Sequence, residues 1–311
     1  MDNVLERLPQ GARIAVIRLR SLGDCVLTTP ALSLLKNARP DLEIAVVAEE
    51  PFAPIFSGNP NVARVLEPSV SEIANWRPGL TLNFHGGTRS AHLTIASRAS
   101  LRAGFGHFRL QGIYNVRVPR AQDIMGVHRK VHTAEHLASA MFYLGVPAQE
   151  IPRARLFPST PANGHPYAIL HPVASAPDKT WSPENFRQVA EYFQRDLGVE
   201  PVFIGGKNDS LSEFAQFRCI AGAPLEEVKS LISGASLFLG NDSGPAHMAA
   251  ALGLPVVVVF GASDPEIWGP WRPESAALFH DPQIGNIRPA RVIEALGNLY
   301  RVPAAISGVP R

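Results

Sequence analysis

Several classes of protein are excluded by what this chain of 311 residues has little of. It contains only two cysteines, Cys25 and Cys219, which are too few for a disulfide framework and indicate a reducing compartment. Its 29 basic and 27 acidic residues give a net charge of +2, so the overall charge does not indicate a nucleic-acid partner. The longest apolar run, near residues 249–260, is interrupted by Gly253 and Pro255 and is too short to span a bilayer.

The first ten residues include an early acidic residue and lack an apolar core, so they do not resemble a signal peptide. We therefore expect a cytoplasmic protein, and the sequence leaves contact with a membrane surface open. Cys25 directly follows Asp24, and a small buried residue is favoured at that position over a reactive thiol. Lysine is scarce, which makes a lysine inside a loop motif more informative; the five lysines are Lys36, Lys130, Lys179, Lys207 and Lys229.

What the chain does have is an alternation of short apolar runs and helical patterns, which predicts a parallel α/β architecture. Its length and its hydrophobic fraction of 46% suit two globular domains, each with its own core. The predicted strands are 13–18, 43–48, 63–67, 80–84 and 102–104 in the first half, and 167–171, 200–204, 237–239 and 256–260 in the second. The predicted helices are 30–38, 89–97 and 132–144, followed by 183–196, 210–217, 225–233, 245–252 and 289–300.

Residues 147–166 contain five prolines and are predicted to be a semi-rigid linker rather than a packed element. We place the domain boundary inside it, with domain one at residues 1–155 and domain two at residues 156–311. The prediction allows the last helix, 289–300, to pack on the first domain. Two α/β domains that face each other form a cleft, which is the usual place for a ligand.

The most informative segment is Gly240-Asn-Asp-Ser-Gly-Pro-Ala-His247, which joins a predicted strand to an alanine-rich helix. Ser243 and Gly244 place backbone N–H groups at the helix N-terminus, and Pro245 suits the first turn. Such a terminus attracts an anion, typically phosphate. Asp242 is unexpected beside a phosphate unless it caps the helix or binds a sugar hydroxyl. For this segment alone, two interpretations remain open: a helix cap with a tight turn, and a ligand-binding loop.

The first strand leads into a comparable turn, Leu19-Arg-Ser-Leu-Gly-Asp24, in which Gly23 allows a sharp bend. Asp24 then lies in the first helical turn. As a structural residue it is a carboxylate that the helix dipole favours. As a functional residue it is a general base opposite a phosphate-binding loop.

Two further loops of the second half follow strands. Ser175 and Lys179 lie after the first strand of that half, where Lys179 offers a compact positive charge to a diphosphate or is a solvated lysine paired with Asp178. Gly205-Gly-Lys-Asn-Asp209 allows close approach of a nucleotide, with Asp209 accepting from ribose hydroxyls, although turn chemistry explains it equally well.

Several catalytic patterns are missing from the sequence. There is no three-glycine dinucleotide fingerprint, no spacing of metal ligands and no serine-hydrolase elbow. His247, in the first turn of its helix, is by itself more typical of a packed histidine than of an acid or a ligand. The missing dinucleotide fingerprint disfavours a nicotinamide dehydrogenase.

Three sequence blocks, distributed over nearly the whole chain, resemble those of a known protein family and occur in the same order as in that family. They are Ile17-Arg-Leu-Arg-Ser-Leu-Gly-Asp24 with Thr29-Pro30, Lys179-Thr-Trp-Ser-Pro-Glu184, and Asn241-Asp-Ser-Gly-Pro-Ala-His247 with its continuation through Phe260-Gly-Ala-Ser-Asp-Pro265. Together they resemble the ADP-heptose:lipopolysaccharide heptosyltransferases of glycosyltransferase family 9. The resemblance implies the GT-B fold, an α/β class with two Rossmann-like domains facing a central cleft. The first domain would bind the acceptor and the second the nucleotide-sugar.

The resemblance also implies an activity: inverting transfer of a heptose from ADP-heptose to a lipopolysaccharide inner-core hydroxyl. Asp24 would be the general base, and Lys179 would stabilise the leaving diphosphate. The donor-binding residues would be Ser21, Ser175, Asp209, Asp242, Ser243, Gly244, Pro245 and His247. No metal and no cofactor are expected, because the ADP-sugar is a substrate. The partners would be ADP-heptose and the lipopolysaccharide core, with peripheral contact at the cytoplasmic face of the inner membrane and no nucleic acid.

The chain departs from the family pattern at two positions. Asp209 stands where glutamate is common, and Asn83 stands where the strand often has aspartate. An arginine-rich segment either holds acidic groups of the acceptor or is a solvated surface; its arginines are Arg98, Arg102, Arg109, Arg117 and Arg120. The alternatives to heptose transfer are a same-fold transferase with another nucleotide-sugar or surface glycan, and a catalytically silent nucleotide-binding protein.

Overall fold

The structure is a computed structural model that describes residues 3–158 and 165–301. The chain divides into two compact units. The first consists of Met1–Ser159, Pro224–Lys229 and Glu266–Arg272, and the second of Thr160–Ala223, Ser230–Pro265 and Pro273–Arg311. Within the described residues, no helix is both long enough and apolar enough to cross a membrane.

Strands and helices alternate along both halves of the chain. The first half contains β1 (Arg13–Ile17), α1 (Leu22–Ala38), β2 (Glu43–Val47), β3 (Arg64–Leu66), α2 (Val70–Trp76), β4 (Leu80–Asn83), α3 (Thr88–Ala96), β5 (Leu101–Phe105), β6 (Val116–Val118), α4 (Ala121–Met125) and α5 (Thr133–Leu144). The second half contains β7 (Tyr167–His171), α6 (Pro183–Tyr192), β8 (Glu200–Gly205), β9 (Arg218–Ala221), α7 (Leu225–Ser233), β10 (Leu237–Asn241), α8 (Gly244–Ala251), β11 (Val256–Phe260), α9 (Pro265–Trp268), β12 (Ala276–His280) and α10 (Pro289–Arg301). Short 3-10 turns cover Val4–Arg7, Glu50–Ile55, Gln111–Ile113, Pro177–Lys179, Ser212–Phe214 and Ile284–Asn286, and a π-helical turn, Phe193–Leu197, continues α6.

Each unit is built on one six-stranded parallel sheet, and the two sheets have the same strand order. The first runs β3-β2-β1-β4-β5-β6, and the second runs β12-β11-β10-β7-β8-β9. Numbered within its own unit, each sheet has the doubly wound order 3-2-1-4-5-6 of dinucleotide-binding folds. The order reverses between β1 and β4 in the first sheet and between β7 and β10 in the second. Ligands of such sheets bind outside the carboxyl ends of the strands at these switch points.

The central strands are almost wholly apolar because helices cover both of their faces. Residues 14–17 of β1 and all five residues of β7, β10 and β11 are buried. In the second unit the core extends to Trp181, whose ring is fully buried and whose Nε1–H donates to the carbonyl of Ile287 at 2.8 Å. The same core receives α10 through Val292 and Leu296. This apolar face therefore packs α10 on the second unit.

All nine predicted strands are present, and three further strands were not predicted. These three, β6, β9 and β12, are edge strands. The predicted helix over 210–217 is wrong, since only the turn Ser212–Phe214 forms there before β9 begins. The N–H of Ser212 donates to the hydroxyl of Ser210 at 3.5 Å, a local bond between backbone and side chain that competes with helix formation.

The proline-rich linker differs from its prediction as well. Up to residue 158 it has no regular structure, but Ile151, Ala154 and Leu156 are buried, and the N–H of Arg155 donates to Thr29 in α1. Residues 159–164 lie outside the described part of the chain. The linker up to residue 158 is therefore packed on the first unit through these three apolar side chains and the hydrogen bond of Arg155.

The first unit also contains two short segments from beyond residue 156, which the sequence boundary did not include. Near Glu266–Arg272, the carbonyls of Ile267 and Gly269 lie 3.1 and 2.8 Å from side-chain atoms of Thr133 and His132. In Pro224–Lys229, the ammonium group of Lys229 donates to the carbonyl of Pro54 at 2.7 Å.

Trp181 provides a test of the second core. We expect Trp181→Ala to lower the free energy of unfolding by about 3–5 kcal/mol, because it leaves a large cavity and removes a buried donor. The measurement is chemical denaturation followed by circular dichroism. Leu278→Ala, at a side chain of the same unit that is 42% exposed, is the control and should change stability by less than about 1 kcal/mol. Equal losses in the two variants would contradict this account of the core.

Candidate functional site

In the first unit, the candidate site lies where β1 turns into α1. Ser21 precedes the first residue of α1, and Asp24 lies in its first turn. The Ser21 hydroxyl donates to Oδ2 of Asp24 at 3.2 Å, and the same oxygen lies 3.6 Å from Nη1 of Arg18. The Asp24 side chain is 28% exposed, so its carboxylate remains accessible at the carboxyl end of the sheet.

Arg18 is a functional candidate that the sequence reasoning missed. It immediately follows β1, is buried, and has an Nε–H without a hydrogen-bond partner among the described residues. Burial lowers the pKa of its guanidinium, whereas the charge of Asp24 opposes this shift. Burial also raises the pKa of the neighbouring Cys25 thiol to about 12, which makes Cys25 a packed residue, as predicted, and not a thiolate. The sequence feature that could have identified Arg18 was a single charged residue at the end of an apolar strand.

The neighbouring strand end, that of β4, is shaped by Asn83. Its fully buried side chain accepts from the N–H groups of His85 and Gly86, both at 3.0 Å, and donates to Thr94 in α3 at 3.1 Å. These bonds use both ends of the amide to hold the loop after β4. Desolvation, together with the charge of Arg18, lowers the pKa of His85. Asn83 is therefore a structural residue of the loop that flanks Asp24.

In the second unit, the amide of Asn241 at the end of β10 ties two loops together. Its Oδ1 accepts from the N–H of Trp181 at 3.0 Å, and its Nδ2 donates to the carbonyl of Pro172 at 2.8 Å. Both partners belong to the loop after β7, which also carries Lys179. Asn241 was quoted in the motif, but its bridging role was not predicted from the sequence.

Asp242, Lys179 and Ser263 converge at the carboxyl end of this sheet. Oδ2 of Asp242 accepts from the Ser263 hydroxyl at 2.5 Å and lies 3.6 Å from Nζ of Lys179. The side chain of Asp242 is 11% exposed and that of Lys179 is 30% exposed. The carboxylate therefore does not cap α8: it is held against a lysine and a hydroxyl, with Lys179 still accessible. Ser263 was not among the predicted site residues.

Ser243 occupies the N-cap position of α8, but its side chain does not cap the helix. Its Oγ instead lies 3.0 Å from Nδ1 of His171, the last residue of β7. Desolvation lowers the pKa of His171 to about 4, so its imidazole is neutral at neutral pH. The N-terminus of α8, with Gly244 and Pro245 as its first residues, consequently keeps its uncapped dipole. His171 was not predicted as a site residue.

The remaining predicted residues lie around these. Ser175 is exposed on the loop after β7, and His247 is buried in α8. The carboxylate of Asp209 accepts from the N–H of Gly206 at 2.7 Å, which is the turn interaction that the sequence left open. Within the second unit, Lys179, Asp242 and Ser243 therefore meet at one switch point, as Ser21 and Asp24 do in the first. Among the described residues, no group of three His, Cys, Asp or Glu side chains is arranged to hold a metal ion.

Two doubly wound domains, each with polar residues at the switch point of its sheet, constitute the GT-B fold. The sequence model of glycosyltransferase family 9 (heptosyltransferase) matches residues 79–286. The chain belongs to this family, which confirms the resemblance found in its motifs.

Individual relatives agree with this assignment. Lipopolysaccharide heptosyltransferase 3 of Escherichia coli K12 is 27% identical over 290 residues, an alignment that covers 81% of this chain and 83% of that protein. The fold is similar to that of a family 9 glycosyltransferase from Veillonella parvula, with a TM-score of 0.81, 22% identity and coverage of 93% and 97%. It is also similar to the E. coli ADP-heptose lps heptosyltransferase II, with a TM-score of 0.78, 21% identity and coverage of 93% and 98%.

The buried His171 gives a prediction for stability against pH. Its pKa lies near 4 in the folded chain and near 6.5 when unfolded, so protons bind the unfolded state preferentially between these values. Its contribution to stability is fully present above pH about 6.5 and decreases by about 3 kcal/mol as the pH falls to about 4. Thermal unfolding of the wild type between these pH values measures the loss.

His171→Asn should remove this share of the pH dependence because the amide does not titrate. His280→Asn, at an exposed position in β12 of the same unit, should leave the dependence intact. If the stability of His171→Asn changes with pH as steeply as that of the wild type, His171 is not the titrating group.

Proposed function

We propose that this protein transfers a heptose from ADP-heptose to a hydroxyl of the lipopolysaccharide inner core, with inversion at the anomeric carbon. The observation that carries the proposal is the group formed by Lys179, Asp242 and Ser243 at the N-terminus of α8. It combines a cation and helix N–H groups, which suit a diphosphate, with a carboxylate, which suits sugar hydroxyls. The names of the relatives, which are lipopolysaccharide heptosyltransferases, support the same substrates.

The second unit would bind the donor. Ser175, Ser243 and the N-terminus of α8 would contact the diphosphate, together with Ser21 of the first unit. Asp242 would accept from heptose hydroxyls, since a carboxylate beside Lys179 is tolerated at a site that also binds an anion. Gly244, Pro245 and His247 would line the phosphates or the sugar, and Asp209 would accept from the ribose.

The first unit would bind the acceptor and supply the base. Asp24 would take the proton from the acceptor hydroxyl as its oxygen attacks the anomeric carbon from the side opposite the diphosphate. The new glycosidic bond forms as the bond to the diphosphate oxygen breaks, and ADP leaves with that electron pair. Lys179 and the α8 dipole would stabilise the charge that develops on ADP, which is why we propose a mechanism that uses neither a metal ion nor a cofactor.

Two alternatives remain distinct from this proposal. One is a same-fold transferase that uses another nucleotide-sugar or another surface glycan. The other is a catalytically silent nucleotide-binding protein, which has no need for an accessible carboxylate such as Asp24. We further propose that the enzyme acts at the cytoplasmic face of the inner membrane, where a lipid-linked acceptor would be presented.

The direct test is a transfer assay with ADP-heptose and truncated lipopolysaccharide acceptors. We expect a product one heptose larger and an equal amount of released ADP. The anomeric configuration of the product, read by NMR, tests inversion. Release of ADP with none of the acceptors would overturn the proposed substrates, while binding of ADP without transfer would support the silent protein.

Asp24→Asn tests the base. We expect ADP to bind as in the wild type and turnover to fall by at least about 10²-fold, because an amide cannot accept the proton. The matched control is Asp123→Asn, an exposed carboxylate in the first turn of α4 that should leave turnover unchanged. Turnover of Asp24→Asn at the wild-type rate would refute the assignment.

Lys179→Ala tests the leaving-group role. Removing one preorganised charge from a developing anion typically costs about 10²–10³-fold in kcat, and we expect a loss of that order with a smaller change in ADP affinity. Arg195→Ala, which removes an exposed cation from the turn after α6 in the same unit, serves as the control. A rise in KM alone, with kcat unchanged, would assign Lys179 to ground-state binding instead.

A further inference from the structure

The first unit has an unusual distribution of charge. Between Glu72 and Asp123 the chain contains no Asp, Glu or Lys, but it contains seven arginines. The rest of the chain has 22 basic and 27 acidic residues and is therefore net negative. This acid-free segment forms β4, α3, β5, β6 and the connections between them. Its arginines therefore lie on one half of the first sheet and on the helix and connections that cover this half.

The strand register places several of these arginines on one face of the sheet. Arg102 pairs with Thr81, and Gly104 pairs with both Asn83 and Arg117. Paired residues of parallel strands point to the same face, as do residues two apart in one strand.

Contacts with α3 identify that face. The Thr81 hydroxyl donates to Ser97, which follows α3, and Asn83 donates to Thr94 within α3. A Cβ at Gly104 would meet the ring of Tyr114, in the crossover between β5 and β6, at 2.6 Å. Arg102 and Arg117 therefore lie on the face that α3 and the crossover cover.

The outer layer of this face carries exposed apolar side chains beside exposed arginines. Ile95 near the end of α3 is 56% exposed, and Leu110 in the crossover is 39% exposed. Arg98, Arg109 and Arg117 are exposed, and within the described residues none of the three forms an ion pair. We call these five residues the α3 surface. Among the other arginines nearby, Arg89 pairs with Glu49 at 2.9 Å, and Arg102 donates to the carbonyls of Ala99 and Ile113.

We propose that the α3 surface docks the protein on an anionic lipid bilayer. Exposed arginines that form no ion pair, in a segment without acidic residues, complement anionic headgroups, each by an amount equal to about a fivefold change in binding. Exposed isoleucine and leucine among them fit the boundary between headgroups and acyl chains. Arginine suits this setting because its aliphatic stem lies along apolar surface while its guanidinium reaches phosphate.

A site for a free anionic sugar fits these observations less well. Such a site needs donors that converge on one point, whereas these arginines are distributed over a helix end, a crossover and an edge strand. Arg98 lies before the amino end of β5, opposite the carboxyl end of the sheet where Asp24 lies. Exposed apolar side chains also add nothing to the binding of a hydrophilic anion. The α3 surface deepens the proposed function by giving the proposed membrane contact a location, and its lipid binding does not depend on transferase activity.

The test is co-sedimentation of the full chain with phosphatidylcholine vesicles and with vesicles that contain equal parts of phosphatidylcholine and phosphatidylglycerol. We expect binding to the anionic vesicles alone. Binding should weaken as salt is raised, because the Debye length shortens from about 10 Å at 0.1 M to about 3 Å at 1 M. Absence of binding to the anionic vesicles at low salt would overturn the proposal.

The combined variant Arg98→Asn, Arg109→Ser and Arg117→Thr removes the three charges with residues suited to each backbone. Arg98 has φ of 54°, a conformation in which asparagine is tolerated, and threonine suits the edge strand β6. We expect vesicle binding to fall by at least about tenfold. A second variant, Ile95→Ser with Leu110→Ser, should weaken binding by an amount that depends little on salt.

The control removes three exposed arginines elsewhere: Arg64→Ser, Arg195→Ser and Arg218→Ser, with side chains that are 61%, 77% and 52% exposed. It changes the net charge equally and should bind as the wild type does. An equal loss in the control would show attraction by net charge alone and would refute the surface. Transfer to a lipid-free acceptor should be unchanged in the α3-surface variant; a parallel loss there would assign the arginines to the acceptor glycan and overturn membrane docking.

Discussion

The candidate site of the second unit depends on one buried amide. Asn241 ends β10 and holds the loop after β7 by two hydrogen bonds, one to the N–H of Trp181 and one to the carbonyl of Pro172. Lys179 belongs to the loop that is held, and Asp242 and Ser243 directly follow the residue that holds it. A single side chain therefore fixes the spacing between a cation, a carboxylate and a helix N-terminus. Because the amide is fully buried, both bonds are shielded from water, and the loss of either would leave an unsatisfied polar group.

Charges at the two switch points are arranged in the same manner. In the first unit the carboxylate of Asp24 lies beside the buried guanidinium of Arg18, and in the second the carboxylate of Asp242 lies beside Lys179. Each carboxylate also accepts from a serine hydroxyl, Ser21 in one case and Ser263 in the other. Such groups are oriented before a substrate arrives, so little reorganisation is needed during the reaction. The difference is in exposure: Lys179 remains accessible, whereas Arg18 is enclosed and acts only on its neighbours.

Sequence reasoning found the strands that are buried on both faces, because these read as uninterrupted apolar runs. It missed the edge strands β6, β9 and β12, which are short and whose side chains are largely exposed or half-buried, so that they do not form uninterrupted apolar runs. It located Lys179, Asp242 and Ser243 because they lie in loops that follow apolar strands. It missed Arg18, which follows β1, and His171, which ends β7, because the roles of both depend on burial and on the partners that the fold brings to them. The bridge made by Asn241 was beyond prediction for the same reason, since no local pattern shows which loop its amide reaches. The buried side of the linker was missed because its prolines suggested only stiffness.

The way in which the first unit recruits a late segment of the chain has a consequence for protein engineering. Residues Glu266–Arg272 follow β11 of the second unit, yet they belong to the first, where Trp271 donates to the carbonyl of Pro152 and Thr133 donates to that of Ile267. A chimera made by joining the amino-terminal half of one family member to the carboxyl-terminal half of another at the linker would therefore separate these partners. Each parental protein would contribute only one side of a packed contact. Exchanges of the first unit should carry the late segment with it, so that the unit of exchange is defined by contacts and not by position along the gene.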